Sequence, residues 1–180
     1  METVMTVNGS NYRLIKLLGR GKGGYSYLVE SQGKEYVLKQ IHHEPCAYYT
    51  FGNKIEAERN DYNRLLNAGI RIPKMLDIDM ENERILKEYI PGDTIYQLVK
   101  TDGVKPDYFH QVRHMAWQAQ QAGLNIDYFP TNFVVNDDTL YYVDYECNLY
   151  DPQWNFENWG NDYWWKSPAF LDYVNQHTDI

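Results

Sequence analysis

Leu17-Leu18-Gly19-Arg20-Gly21-Lys22-Gly23-Gly24-Tyr25-Ser26-Tyr27-Leu28-Val29 decides how the first half of the chain is read. Gly19, Gly21 and Gly24 give the spacing G-x-G-x-x-G, where missing side chains let backbone N–H groups approach phosphate oxygens. A dinucleotide-binding fold needs a helix to start at the third glycine. Tyr25 to Val29 is aromatic and aliphatic, which is strand chemistry. Tyr12 to Leu18 before it is also apolar-rich. The glycines are therefore expected between two antiparallel strands, as a loop that folds over phosphates. An ordinary glycine-rich hairpin has the same local signature, so the residues further along must decide.

Ser31-Gln32-Gly33 reads as a turn and Glu35 to Ile41 as a third strand. Ile55 to Asn67 is expected as a helix with Tyr62, Leu65 and Leu66 on its apolar face and Gly69 as its stop. Pro73 opens short strands, Met75 to Ile78 and Arg84 to Lys87, joined at Glu81-Asn82-Glu83. Tyr89-Ile90-Pro91-Gly92-Asp93 breaks the pattern and is the expected boundary between two lobes, 1–90 and 91–180. Beyond it come helical segments, Thr94 to Lys100 and about Tyr108 to Ala122. A hairpin around Asn136-Asp137-Asp138 follows, and then a tail, Trp154 to Phe170, dense in Trp and Tyr. Strands, one helix, strands, a hinge, helices and a hairpin make an α+β arrangement.

Lys39 ends Tyr36-Val37-Leu38-Lys39, fifteen residues after Gly24. A lysine late in an apolar strand can reach inward to the α- and β-phosphates of a nucleotide, and it needs a carboxylate to fix its flexible stem. Glu58 is preferred for this, because it lies one turn before Tyr62 on the buried side of the expected helix; Glu56 is the fallback. A single surface Lys or Glu is usually just solvated.

Asp127-Tyr128-Phe129-Pro130-Thr131-Asn132 spaces an Asp and an Asn by four residues, and Asp144 ends Leu140-Tyr141-Tyr142-Val143 twelve residues later. In this arrangement Asp127 orients an acceptor hydroxyl and takes its proton. Asn132 and Asp144 offer hard oxygens to magnesium. Each of these residues alone also fits a turn or a strand end. Their joint order is what points to phosphoryl transfer, which needs mainly positioning and electrostatics.

Together these residues resemble the protein-kinase-like superfamily, through LGRGKGGYSYLV, YVLK, ILKEYIPGDT, IDYFPTN and YVDYE, from about Leu17 to Asp144. AERNDYNRLLNAGIRIPKML resembles the small atypical kinases of the KEOPS type. Val143-Asp144-Tyr145-Glu146 and Asn158-Trp159-Gly160-Asn161 are similar to the choline-kinase and aminoglycoside-phosphotransferase branch. The resemblance implies a two-lobed fold with a strand-rich N-lobe and a shortened helical C-lobe, with the active site below the hinge. It implies adenine binding by backbone groups of Glu88 and Ile90, and places Lys87 at the gatekeeper position. It also marks departures. Asn125-Ile126-Asp127 stands where His-Arg-Asp or His-Gly-Asp is usual, and Phe129 replaces the lysine two residues after the catalytic Asp. Ser26 takes the place of an adenine-covering valine, and Asn158 that of an Asp that braces the catalytic loop. Residues 145–166 contain no Ser or Thr.

A net charge of −8 argues against nucleic acid as a partner, and 43% hydrophobic with 16% aromatic residues suffices for a core. No signal peptide, membrane span or disulfide framework is visible, so a cytoplasmic protein is expected. His42, His43 and Cys46 cluster, as do His110 and His114, but surface loop or packing roles come first. The tail tryptophans are read first as core or as a patch for a protein partner, and an aromatic sugar-binding platform is the rival. The expectation is an ATP- and Mg-dependent kinase, atypical and serine/threonine-protein-kinase-like, that phosphorylates a hydroxyl on a protein or small molecule. The alternatives are a small-molecule kinase of the choline/aminoglycoside type and a non-catalytic nucleotide-binding pseudokinase.

Overall fold

The computed structural model describes residues 1–21, 23–43 and 53–178. The fold is α+β: antiparallel strands dominate the first half and helices the second. The chain divides into two compact units, one of Met1–Asn60 with Pro73–Tyr89 and one of Asp61–Ile72 with Ile90–Ile180.

The first unit is built on six strands: β1 (Val4–Val7), β2 (Ser10–Arg20), β3 (Gly24–Ser31), β4 (Lys34–Ile41), β5 (Met75–Asp79) and β6 (Arg84–Glu88). They form one antiparallel sheet in the order β1-β2-β3-β4-β6-β5. Asn8-Gly9 and Gln32-Gly33 close its first and third hairpins with positive φ at both turn positions, the geometry that matches strand twist. Val7, Val29, Leu38 and Leu86 form one buried cluster under Tyr12, Leu14, Tyr27 and Tyr36. Ile41, Ile55 and Ile85 form a second. Each such aliphatic side chain contributes about 1.5–3 kcal/mol by leaving water.

Ile55 belongs to α1 (Lys54–Asn67), whose later residues fall in the second unit. That unit contains β7 (Asp93–Thr94), α2 (Ile95–Lys100), α3 (Pro106–Gln121), β8 (Leu124–Ile126), β9 (Phe133–Asn136), β10 (Thr139–Tyr142), β11 (Cys147–Leu149) and α4 (Pro168–Gln176). Thr94 starts α2 with a reciprocal capping box to Gln97. α3 starts at Pro106 and buries Tyr108, Val112, Met115 and Ala119, a helical stripe. The core is aromatic: Trp164 lies 5.1 Å from Phe133, 5.5 Å from Phe156 and 5.9 Å from Phe109, ring centre to ring centre. Among the described residues, no helix is long and apolar enough to cross a membrane.

Candidate phosphotransfer site

In the first unit, the hairpin of β2 and β3 carries the glycine loop. The N–H of Gly21 donates to the carbonyl of Gly24 at 2.9 Å, and Gly19 pairs with Ser26 across the strands. A strand, not a helix, follows the third glycine, which separates this loop from the dinucleotide type. Gly24 opposes Ile41 on β4. A Cβ there would lie 2.6 Å from the carbonyl oxygen of Gln40 and 3.0 Å from Cε of Lys39, so glycine leaves room for the lysine stem.

Lys39 Nζ donates to Oε1 of Glu58 on α1, with the two side chains only 15% and 14% exposed. Glu56 faces elsewhere and pairs with Arg59 at 3.0 Å. The structure therefore brings Lys39 to Glu58 and not to Glu56. Oε2 of Glu58 is buried without a hydrogen-bond partner among the described residues. Such an unmet acceptor costs about 1–3 kcal/mol. Glu88 closes β6, where its N–H donates to Lys74 O at 2.9 Å; Ile90 follows, half-buried, in the second unit. Lys87, on β6, is buried.

In the second unit, β8 delivers Asp127. β11 pairs with β8, Cys147 opposite Ile126, and so returns the segment after Asp144 to the same edge. The carboxylate of Asp127 accepts from Phe129 N–H at 3.1 Å, and its backbone carbonyl accepts from the Asn132 amide at 3.3 Å. Val143 N–H donates to Asn132 O at 2.9 Å, placing Asp144 next in chain to a residue bonded to Asn132. Burial chiefly holds the Asp127 carboxyl above the usual range. The Glu146 and Asp144 carboxylates push the same way, against the Phe129 N–H and the Asn132 amide.

Several supports of this site were not read from the sequence. Tyr142, fully buried, accepts from Asp127 N–H at 3.1 Å and donates to Glu146 O at 2.7 Å. Its position at the buried end of an apolar strand concealed a polar role. Trp164 donates its indole N–H to Tyr128 O at 2.8 Å. Gly160 lies so close under Tyr128 that a Cβ would sit 2.5 Å from the tyrosine Cβ. Asn158 instead stays exposed and bonds Pro152 O at 2.8 Å, so Trp164 rather than Asn158 braces the loop here. Asn125, ahead of Asp127, is buried and donates to Asp151 O at 2.8 Å.

Magnesium asks for few protein ligands, one or two carboxylates and carbonyl oxygens beside water and phosphate. With its Nδ2 engaged by Asp127 O, the Asn132 amide keeps its oxygen for a cation. The Asp144 carboxylate takes no hydrogen bond or ion pair among the described residues. The pair thus fits a hard cation, although no group of three or more His, Cys, Asp or Glu converges among the described residues. His42 bonds Gly21 O at 2.8 Å, and His43 meets Glu83 at 2.7 Å. Cys46 lies outside the described residues. His114 stacks on Trp117, with ring centres 5.9 Å apart.

No family model matches the chain. Over 123 residues, 63% of this chain, it is 27% identical to the serine/threonine-protein kinase ppk13 of Schizosaccharomyces pombe. The likeness is to a kinase. The matched stretch is 35% of the length of that protein.

Proposed function

We propose that the chain is an ATP- and magnesium-dependent phosphotransferase of two-lobed, protein-kinase-like architecture, moving the γ-phosphate to a hydroxyl acceptor. The observation that carries this reading is the half-buried Asp127 carboxyl, with Asn132 bonded to its backbone and Asp144 one residue beyond the Asn132–Val143 bond. The likeness to a serine/threonine kinase supports it.

Lys39, held by Glu58, pairs with the α- and β-phosphates. The backbone of the loop at Gly19, Gly21 and Gly24 lies over the phosphates, and backbone groups of Glu88 and Ile90 hold adenine. Asp127 aligns the acceptor hydroxyl and accepts its proton. Asn132 and Asp144 would hold magnesium through their side-chain oxygens, and the ion would supply positive charge against the negative charge that builds during transfer.

Thermal-shift titration with ATP tests nucleotide recognition. ATP with Mg is expected to raise the midpoint, with most of the shift lost in EDTA and in Asp144→Asn. An ATP response indifferent to both would contradict the assignment of Asp144.

A further inference from the structure

His42 follows β4 directly, three residues after Lys39, and is half-buried. Its side chain and its backbone reach three other parts of the first unit. Nε2 meets the carbonyl oxygen of Gly21 at 2.8 Å, and since a carbonyl can only accept, Nε2 carries the hydrogen. The backbone N–H donates to the carbonyl of Gly23 at 3.1 Å. The ring packs on Tyr25 of β3, with centres 4.9 Å apart and planes tilted by 52°, and the Arg20 guanidinium lies 6.0 Å from the same tyrosine ring centre. The carbonyl of His42 accepts from Nζ of Lys54, which is 3% exposed and opens α1. One turn further along α1 is Glu58, the partner of Lys39.

We infer that His42 is a positioning residue of the nucleotide site proposed above. It ties the glycine loop to the strand that carries Lys39 and to the helix that carries Glu58, so that the loop is ordered before a triphosphate arrives. The inference rests on that functional reading, and it concerns the phosphates alone, not the base.

The physical reason is the freedom of the loop. Fixing one residue's backbone costs about 1–2 kcal/mol, and glycine loses more on ordering than any other residue. A loop that is ordered only by its ligand takes that cost out of the binding energy. His42 holds two loop carbonyls, one through its ring and one through its backbone. Because the peptide unit is planar and trans, a Gly23 carbonyl turned to His42 leaves the N–H of Gly24 facing away from it. An imidazole suits the task, since it carries a donor at its tip with only two torsions to fix. His43, the next residue, turns its ring to Glu83 at 2.7 Å instead.

The test is calorimetry on the full chain with MgATP and, separately, with adenosine, which has base and ribose but no phosphate. His42→Phe and His42→Met both lack the donor, and circular dichroism shows that each variant folds. Their MgATP affinity should fall about fivefold, as loss of one hydrogen bond predicts, while adenosine affinity stays at that of the unsubstituted chain. His42→Gln, which restores a donor, should recover MgATP affinity to within about twofold. His43→Ala should match the unsubstituted chain with both ligands. MgATP affinity unchanged in the donorless variants, an equal loss for MgATP and adenosine, or a His42→Gln variant as weak as His42→Phe overturns the inference while leaving the nucleotide assignment standing. Absence of MgATP binding in the unsubstituted chain overturns both.

Discussion

The indole N–H of Trp164 donates to the backbone carbonyl of Tyr128 at 2.8 Å, both residues 1% exposed. A residue thirty-six positions downstream thus fixes the loop between Asp127 and Asn132. Trp164→Phe keeps most of the packing but leaves the Tyr128 carbonyl without its donor. The expected loss of stability is about 1–3 kcal/mol in denaturant unfolding. Phosphoryl transfer should fall through kcat, with nucleotide affinity preserved. A loss confined to KM for ATP would mean that the brace does not act on the loop.

The carboxyl of Asp127 is raised, chiefly by burial, so in the folded state it binds a proton at pH values where the unfolded chain has released one. Stability contributed at this position is therefore fullest at low pH and is lost as pH rises through the raised pKa. Asp127→Asn should raise the melting temperature at neutral pH while abolishing transfer. In the unsubstituted chain the acidic limb of the kcat profile should lie above the ordinary carboxylate range, because the base must be ionised to work. A variant that melts lower at neutral pH would contradict this account.

Asp79 behaves in the opposite sense. It accepts from Asn8 N–H, Asn82 N–H and the Asn82 amide, each at 2.9 Å, and these bonds draw its carboxyl down to about 2. Its contribution is complete above the ordinary carboxylate range and is lost as pH falls toward about 2. Asp79→Ala frees the turns at Asn8 and Asn82. The variant should melt lower than the unsubstituted chain at neutral pH, and the gap should shrink as the pH is lowered. A constant gap down to the acid limit would remove the carboxylate from the explanation.

Gly24→Ala places a methyl group 2.6 Å from the carbonyl oxygen of Gln40, so the strands must shift. Overpacking of this kind costs about 1–3 kcal/mol. Because the same Cβ crowds Cε of Lys39 at 3.0 Å, affinity for MgATP should weaken as well. Gly23→Ala is the comparison, since a Cβ at Gly23 meets nothing within 4 Å. Equal effects from the two substitutions in calorimetry would show that the crowding is irrelevant.

The parts of the fold legible in the sequence were those with local signals. Strand chemistry after Gly24, the start and end of the helix Lys54–Asn67 and the Asp137-Asp138 turn each declare themselves within a few residues, but of the apolar face expected at Tyr62, Leu65 and Leu66 the fold buries Leu65, half-buries Tyr62 and leaves Leu66 exposed. The strand Val4–Val7 went unread although Asn8-Gly9 is a strong hairpin signal. α4 carries a start signal at Ser167-Pro168, but it follows directly on a segment dense in Trp and Tyr that has no helical period of its own. Other features had no local signal. The pairing of β8 with β11, the Tyr142 relay and the Trp164 brace join residues that only the folded chain brings together, and their residue types are those of ordinary core positions.

Transfer of label from γ-labelled ATP, in magnesium, by the unsubstituted chain and by Lys39→Met tests the central claim most directly. The expected result is incorporation by the former, reduced by roughly a hundredfold in the latter, with folding intact by circular dichroism. Equal turnover by the two proteins would contradict it.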